Sequence, residues 1–270
     1  MASAKDIRVA PIKAADAREH VRKHHYSGKV VNNSCLHFGV FLNGRMEGAM
    51  QYGPSLDKRK IASLVEGTPW HGFIELNRMA FSDRLPRNSE SRAMGIAHRL
   101  IRKAYSHIDW IVSFADASQC GDGTIYRAAG FVLTGIKPNT QVWRHPSGMV
   151  ISRTAMTNLG DNGALKQRRE LSARFGIDVT NLSGASMKPY AKMGFVPVMG
   201  FQLRYIYFLN PAARERLTVP ILPFSRIAEM GASMYRGERM RPKQATPATS
   251  GEAAGQNRPG RSNLSSEAAD

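Results

Sequence analysis

The amino-acid sequence predicts a mixed α/β fold, a twisted and partly parallel sheet flanked by helices. Three observations carry that prediction. The alternating run Leu36-His-Phe-Gly-Val-Phe-Leu42 meets Asn43-Gly44 and a second run, Arg45–Tyr52, which is the pattern of a hairpin closed by a type I′ turn. A strand pattern at Phe73–Phe81, a helical one at Ser89–Tyr105 and a continuous apolar run at Trp110–Ala115 follow in that order, which demands a crossover and a parallel strand pair. Finally, 270 residues with 42% hydrophobic content can bury one substantial core, and no apolar run is long enough to suggest a membrane span.

The elements follow in chain order. Ile7–Ile12 reads as a short strand and Ala14–His24 as a helix, followed by the hairpin. In Phe73–Phe81 the apolar alternation slips: Ile74 and Leu76 mark one face, whereas Met79 and Phe81 continue on odd numbers. One extra residue near Asn77–Arg78 would return all four to one face, as a β-bulge does; the alternative is a strand buried on both faces. Ser82–Asn88 is a loop. In the helix after it Ala93, Ile96, Ala97, Leu100, Ile101 and Ala104 recur at three- and four-residue spacing. Trp110–Ala115 is a central strand, followed by a Gly-rich loop (Asp116–Gly123), a short helix (Thr124–Ala129) and a strand (Phe131–Ile136). A long stretch, about 137–200, contains a basic amphipathic helix at Leu165–Phe175, and another strand begins at Phe201. Residues 237–270 are rich in Pro, Gly, Ser and Ala and are expected to be a disordered tail behind a 1–236 catalytic domain.

Charge gives the first functional direction. Thirty-eight Lys and Arg against 21 Asp and Glu give a formal +17. From Arg236 onward there are six basic and four acidic residues, a contribution of +2, so +15 remains on the folded part. Such a field attracts polyanions, with an affinity that falls as salt rises; a basic protein kept soluble by its charge is the bland alternative. Cys35 and Cys120 form no disulfide framework, and MASAKDIRVAPIK contains no apolar leader. A cytoplasmic location is expected, with no membrane partner; monomer and homo-oligomer are both left open.

The helix at Ser89 opens with Arg92-Ala-Met-Gly95-Ile-Ala97. A helix N-terminus presents unpaired N–H groups, and glycine lets a phosphate approach the backbone. Downstream stands Tyr126-Arg-Ala-Ala-Gly130-Phe131. Together these segments resemble the pyrophosphate loop and the helix-to-strand turn of the GCN5-related N-acetyltransferase (GNAT) superfamily. The resemblance implies a GNAT-like sheet, an acetyl-CoA or related CoA thioester held by Ser91, Arg92, Gly95 and Ala97, and an insertion at about 137–200.

A closer resemblance covers nearly the whole chain short of the tail. His24-His25-Tyr26-Ser27-Gly28-Lys29, Glu75-Leu-Asn-Arg78-Met-Ala-Phe81, Asn88-Ser-Glu-Ser91-Arg92, Phe114-Ala-Asp116 through Tyr126 and Phe201–Asn210 are similar to the Mom family. Members of that family convert adenine in phage DNA to an N6-carbamoylmethyl form that blocks host restriction enzymes. The resemblance implies double-stranded DNA as partner, a host cytoplasm as the setting, and functional roles at His25, Tyr26, Arg78, Ser91, Asp116 and Tyr126. It also implies Fe(II), with His25, Tyr26 and Asp116 as candidate ligands, although their spacing is not a metal motif.

Each residue has a physical role and a structural alternative. Asp116 ends a buried strand where open sheets bind ligands; it could orient or deprotonate an amine, or cap the next loop. Tyr126 could protonate a leaving group or be a core aromatic. Arg78 could hold phosphate or stabilise negative charge, or pair with Glu75 or Asp83. Ser91 could bind phosphate or cap its helix. Lys58, Arg59, Lys60, Lys166, Arg168 and Arg169 are expected to grip DNA, or else to form solvated faces. Reaching adenine N6 in a duplex requires base flipping, and Trp70, Phe73, Trp143 and Tyr190 are candidates to hold the extruded base. Two other functions stay open: an N-acetyltransferase acting on a small amine or a protein, and a DNA-binding protein without catalysis.

Overall fold

The computed structural model describes residues 2–25, 27–117, 121–158, 160, 162–181, 186–232, 234–235 and 238–239. Tyr26 and nearly all of the expected tail 237–270 lie outside the described residues. The chain runs through β1 (Arg8–Pro11), α1 (Ala14–His24), β2 (Leu36–Leu42), β3 (Arg45–Gly53), α2 (Lys58–Ala62), β4 (Phe73–Phe81), α3 (Ser89–Ala104), β5 (Trp110–Asp116), α4 (Thr124–Ala128) and β6 (Val132–Asn139). There follow β7 (Val142–Arg144), β8 (Val150–Ser152), α5 (Arg153–Thr157), α6 (Asn162–Phe175), α7 (Lys188–Lys192), β9 (Val196–Pro197) and β10 (Gly200–Phe208). The main sheet has the order β1-β2-β3-β4-β5-β10-β6. Its β4–β5 pair is parallel and its other pairs are antiparallel.

Local chemistry sets these elements. Asn43 and Gly44 adopt φ of 50° and 77°, the left-handed pair that a type I′ turn needs between β2 and β3. In β4 the alternation slips because there is a bulge. Arg78 pairs with Gln51 and Leu76 with Tyr52, so Asn77 is the extra residue. Ile74 and Leu76 before it, and Met79 and Phe81 after it, all belong to or pack on the same core, while Phe73 lies in the opposite one.

The bulge also decides where the sheet opens. β4 and β5 pair over Phe73–Trp110, Ile74–Ile111 and Glu75–Val112, and no further. Asn77 follows immediately, and beyond it the two strands part, with the Ser113 hydroxyl donating to the Leu76 carbonyl at 3.3 Å near the fork. On one face α3 lays Ala93, Met94, Ala97 and Ile101 against Tyr52, Leu76, Ile111 and Ala115. Phe73, Trp110, Val112 and Ile206 cover the opposite face, where the Phe73 and Trp110 rings stack at 4.5 Å. α1 packs on β2, β3 and β4, with its His20 beside Glu47, on this second face.

The insertion leaves and returns at paired positions, Asn139 and Gly200. Because the hairpin β6–β10 already holds those ends together, a long excursion there adds little closure entropy. The excursion forms its own three-stranded sheet, β8-β7-β9, and its own core around Ile151, Met156, Leu171, Tyr190 and Phe195. It also repeats the turn at the end of α4. Phe131 N–H donates to Tyr126 O, and Phe195 N–H to Tyr190 O, both at 3.0 Å, with Gly130 and Gly194 at φ of 85° and 94°.

One expected DNA contact is corrected here. Arg168 is 1% exposed, and its Nη1 donates to the Ala155 and Asn158 carbonyls at 2.9 Å each. Residues two apart on a helix lie about 200° apart, so Arg168 turns into the insertion core while Lys166 and Arg169 face outward. Arg168→Ala is therefore expected to lower stability by about 2–4 kcal/mol, since it strips a buried and a part-buried carbonyl of a charged donor and empties a buried site. Lys166→Ala and Arg169→Ala should each change it by no more than about 0.5 kcal/mol. Urea unfolding of the three variants checks this.

Candidate active site

The bulge gathers the residues around the fork. Asn77 accepts a hydrogen bond from the buried Ser34 hydroxyl at 2.9 Å and donates from Nδ2 to the Pro54 carbonyl at 3.5 Å. Beside it, Ser55 donates to the Glu75 carboxylate at 2.5 Å. Burial pushes the Glu75 carboxyl up, against hydrogen bonds from Ser55 and Asn77 and the charge of Arg78. Arg78 donates from Nη1 to the Asn77 carbonyl at 2.7 Å and from Nε to the Lys29 carbonyl at 3.2 Å. Lys29, Ser34, Pro54 and Ser55 are thus tied to β4 at Glu75, Asn77 and Arg78.

Arg78 sits opposite Gln51, and hence on the α1 face. Among the described residues it forms no ion pair with Glu75 or Asp83, the salt bridge that would have made it merely structural. Asp116 is the last residue of β5, half-buried and paired with Gln202 rather than lying in a loop. It alternates with Val112 and Phe114, so it too faces the α1 side. His25 follows α1 and lies close enough to Arg78 for the guanidinium to act on it. Burial, and then Arg78, lower its pKa from 6.5 to about 4. Its Nδ1 lies 2.8 Å from the Ser27 hydroxyl and 3.2 Å from the Ser27 amide. The fork therefore has Arg78, Asp116 and His25 on one face.

The other face carries an anion-sized basic cavity. About 670 Å³ of space, open to solvent, lies at the N-terminus of α3 and is lined by Ser91, Arg92 and Gly95 of the motif, together with Lys5, Arg87, Arg99 and Asn88. Four of its lining residues are basic and none is acidic. A Cβ on Gly95 would meet nothing within 4 Å, so this glycine leaves real space on the helix surface. α3 begins at Ser89, three residues before Arg92. The amides without an acceptor one turn back are accordingly those of Glu90 and Ser91, not those of the motif itself, and the motif contributes the Arg92 cation and the Gly95 gap. Ser91 donates its hydroxyl to the Asn88 carbonyl at 3.2 Å. Ala97 departs from expectation. It is 0% exposed in the main core, two residues and about 200° round the helix from Gly95, and packs rather than binds. Lys5, Arg87 and Arg99 escaped the sequence reading, although Arg99 shares the helix face of Arg92 and Gly95.

Tyr126 is buried, stacked on Tyr205 at 5.2 Å and edge-on to Phe131 at 5.3 Å, within the core on the α3 side. The expected triad is thereby divided: Arg78 and Asp116 face α1, whereas the Tyr126 ring packs with the α3 layer. Among the described residues no three His, Cys, Asp or Glu side chains are grouped to hold a metal ion, and Tyr26 lies outside them. The described donors do not fit an Fe(II) site.

Of the four aromatics considered for an extruded base, Phe73 and Tyr190 are core residues at 4% and 0% exposure, and Tyr190 donates its hydroxyl to the Met156 carbonyl. Trp143 is half-buried against the insertion core and donates to Thr140 O. Trp70 is 54% exposed, with Lys58 Nζ 4.5 Å from its ring centroid. Arg59 and Lys60 are exposed on α2, as Lys166 and Arg169 are on α6. No helix among the described residues is long and apolar enough to cross a membrane.

Comparison with known proteins adds the following. The Mom protein family matches residues 6–226. The methylcarbamoylase mom of Escherichia phage Mu is 34% identical over 224 residues, 80% of this chain and 81% of that protein. Among solved structures, a tandem GNAT protein from the clavulanic acid biosynthesis pathway aligns with a TM-score of 0.44 and 9% identity over 76% of this chain and 99% of its own. The ribosomal-protein-S18-alanine N-acetyltransferase of Escherichia coli aligns with a TM-score of 0.38 and 10% identity over 76% and 94%.

The histidines give a pH prediction. Burial lowers His20 and His25 from 6.5 to about 4 and His98 to about 3, with His24 and Arg78 as the next causes for the first two. Each ring is harder to protonate folded than unfolded, so between pH 6.5 and about 4 the unfolded chain binds more protons. Stability is fully present above pH 6.5 and is lost as pH falls through that window. Urea midpoints from pH 8 to 4 should fall accordingly. Arg78→Met should raise the His25 pKa, seen by NMR titration, while leaving it below 6.5, because burial is the larger cause. An unmoved His25 would contradict the contact.

Proposed function

This chain belongs to the Mom protein family, and from that premise we propose that it is a transferase that converts adenine in double-stranded DNA to N6-(carbamoylmethyl)adenine and so shields that DNA from restriction enzymes. The observation that carries the reading is the 34% identity to the phage Mu methylcarbamoylase across most of both chains. The site geometry supports it.

The basic cavity at the α3 tip suits the phosphates of a CoA thioester: cations at Lys5, Arg87, Arg92 and Arg99, helix amides at Glu90 and Ser91, and a gap at Gly95. The donor's reactive end would reach the fork between β4 and β5. There Asp116 orients or deprotonates the adenine N6 amine, and Arg78 holds an anionic or carbonyl oxygen of the donor beside it. His25, its pKa lowered to about 4, would stand beside Arg78 as a neutral ring rather than a second cation. The duplex would lie along Lys58, Arg59 and Lys60, with Lys166 and Arg169 on the insertion, under a net charge of +17.

The decisive experiment expresses the protein in bacteria, digests plasmid DNA to nucleosides and weighs the adenosines. The expected result is a heavier adenosine, of carbamoylmethyl rather than acetyl mass, that disappears with Asp116→Ala. Unmodified adenosine together with acetyl-CoA consumption on other amines would replace this reading with the N-acetyltransferase one. Gly95→Ala separates fold from function. The new Cβ meets open space, so helix propensity should raise stability by about 0.5–1 kcal/mol. If phosphate approaches there, affinity for CoA should nevertheless fall several-fold, as measured by calorimetry. An unchanged affinity would remove Gly95 from the donor site.

A further inference from the structure

We propose that Leu56 is the wedge that enters the base stack when the target adenine is extruded. The inference deepens the DNA-modifying reading and rests on it. Leu56 is 98% exposed, far more than any other large apolar side chain among the described residues, the next being Met199 at 60%. A scattered exposed leucine is ordinary. This one differs because the chain on both sides of it is fastened. Ser55, its neighbour, is 6% exposed and donates to Glu75, and the Pro54 carbonyl accepts from Asn77. On the other side the Asp57 side chain accepts from the Lys60 amide and caps α2. A buried residue, a fully exposed leucine and a helix cap thus follow one another, and the leucine is presented by a pinned turn.

Its surroundings fit a duplex. Arg59 and Lys60 are exposed on the first turn of α2, and Lys58 lies over Trp70. Cations that bind phosphate therefore lie within four residues of an apolar tip. The anchors of that tip, Glu75 and Asn77, flank the fork and adjoin Arg78. A flipped adenine entering the fork would leave a gap in the stack near Leu56. An apolar side chain without hydrogen-bonding groups can fill such a gap and read no sequence. Trp70 is poorly suited to the role, since one face of its ring already holds Lys58.

The test uses the full chain and needs no donor. Wild type and Leu56→Ala are titrated against an intact duplex and against the same duplex with one abasic site, across a range of salt. Wild type should bind the abasic duplex about tenfold more tightly or better, because the gap is already open. Leu56→Ala should bind both duplexes within about twofold, with an unchanged salt slope, since no phosphate contact is lost. Leu56→Met should keep the preference. The exposed position makes misfolding of Leu56→Ala simple to detect, by an altered urea midpoint. A preference that survives Leu56→Ala, or wild type that binds both duplexes equally, overturns the wedge alone. Wild type that binds neither duplex overturns the DNA reading itself. In cells, Leu56→Ala should lower the fraction of heavier adenosine, and the same fraction as wild type would again count against the wedge.

Discussion

A single extra residue, Asn77, is the constraint on which the rest of the site depends. Without it Ile74, Leu76, Met79 and Phe81 could not share one core, because a strand turns each successive side chain over. With it β4 stops pairing with β5 after Glu75, and the sheet forks. The bulged side chain is buried at 8% exposure and must be satisfied, and Ser34 and Pro54 satisfy it. Losing either partner would leave a buried polar group at a cost of about 1–3 kcal/mol. One local irregularity therefore opens the crevice and also fastens the loops that surround it.

Much of this was legible in the sequence, and the limits have a common cause. The hairpin was written in Asn43-Gly44, and the bulge in a parity slip, since both are signals along the chain. Which loops the bulge collects was not, because Ser34 and Pro54 are 43 and 23 residues from Asn77. The errors at Arg168 and Ala97 are also instructive. Each was assigned from a linear run, Lys166-Gln-Arg168-Arg169 or Arg92 to Ala97, while a helix places residues two apart on nearly opposite sides. Helical rotation, applied to those same runs, separates the exposed members from the buried ones. Tyr126 and Phe73 show the remaining limit: an aromatic in a motif carries no mark of whether its ring lies in a crevice or a core. The stretch expected at about 137–200 leaves and rejoins the main sheet at Asn139 and Gly200, which pair in β6 and β10.

The division of labour between the faces gives the enzyme its plan. The basic cavity is made by the tip of α3 and the N-terminal turn Ala4–Asp6, whereas Arg78, Asp116 and His25 occupy the α1 side. Donor and DNA would then approach from opposite sides and meet only at the fork. Such an arrangement keeps two polyanions, a pyrophosphate and a nucleic-acid backbone, from competing for the same cations.

Burial sets what the histidines can do. It is the largest cause holding His20, His25 and His98 neutral, at about 4, 4 and 3. A neutral imidazole of that pKa is a poor proton acceptor for an amine. In the reaction proposed for this fork, proton removal would then fall to a carboxylate, and Asp116, at the open end of β5 and on the face of Arg78, is the candidate.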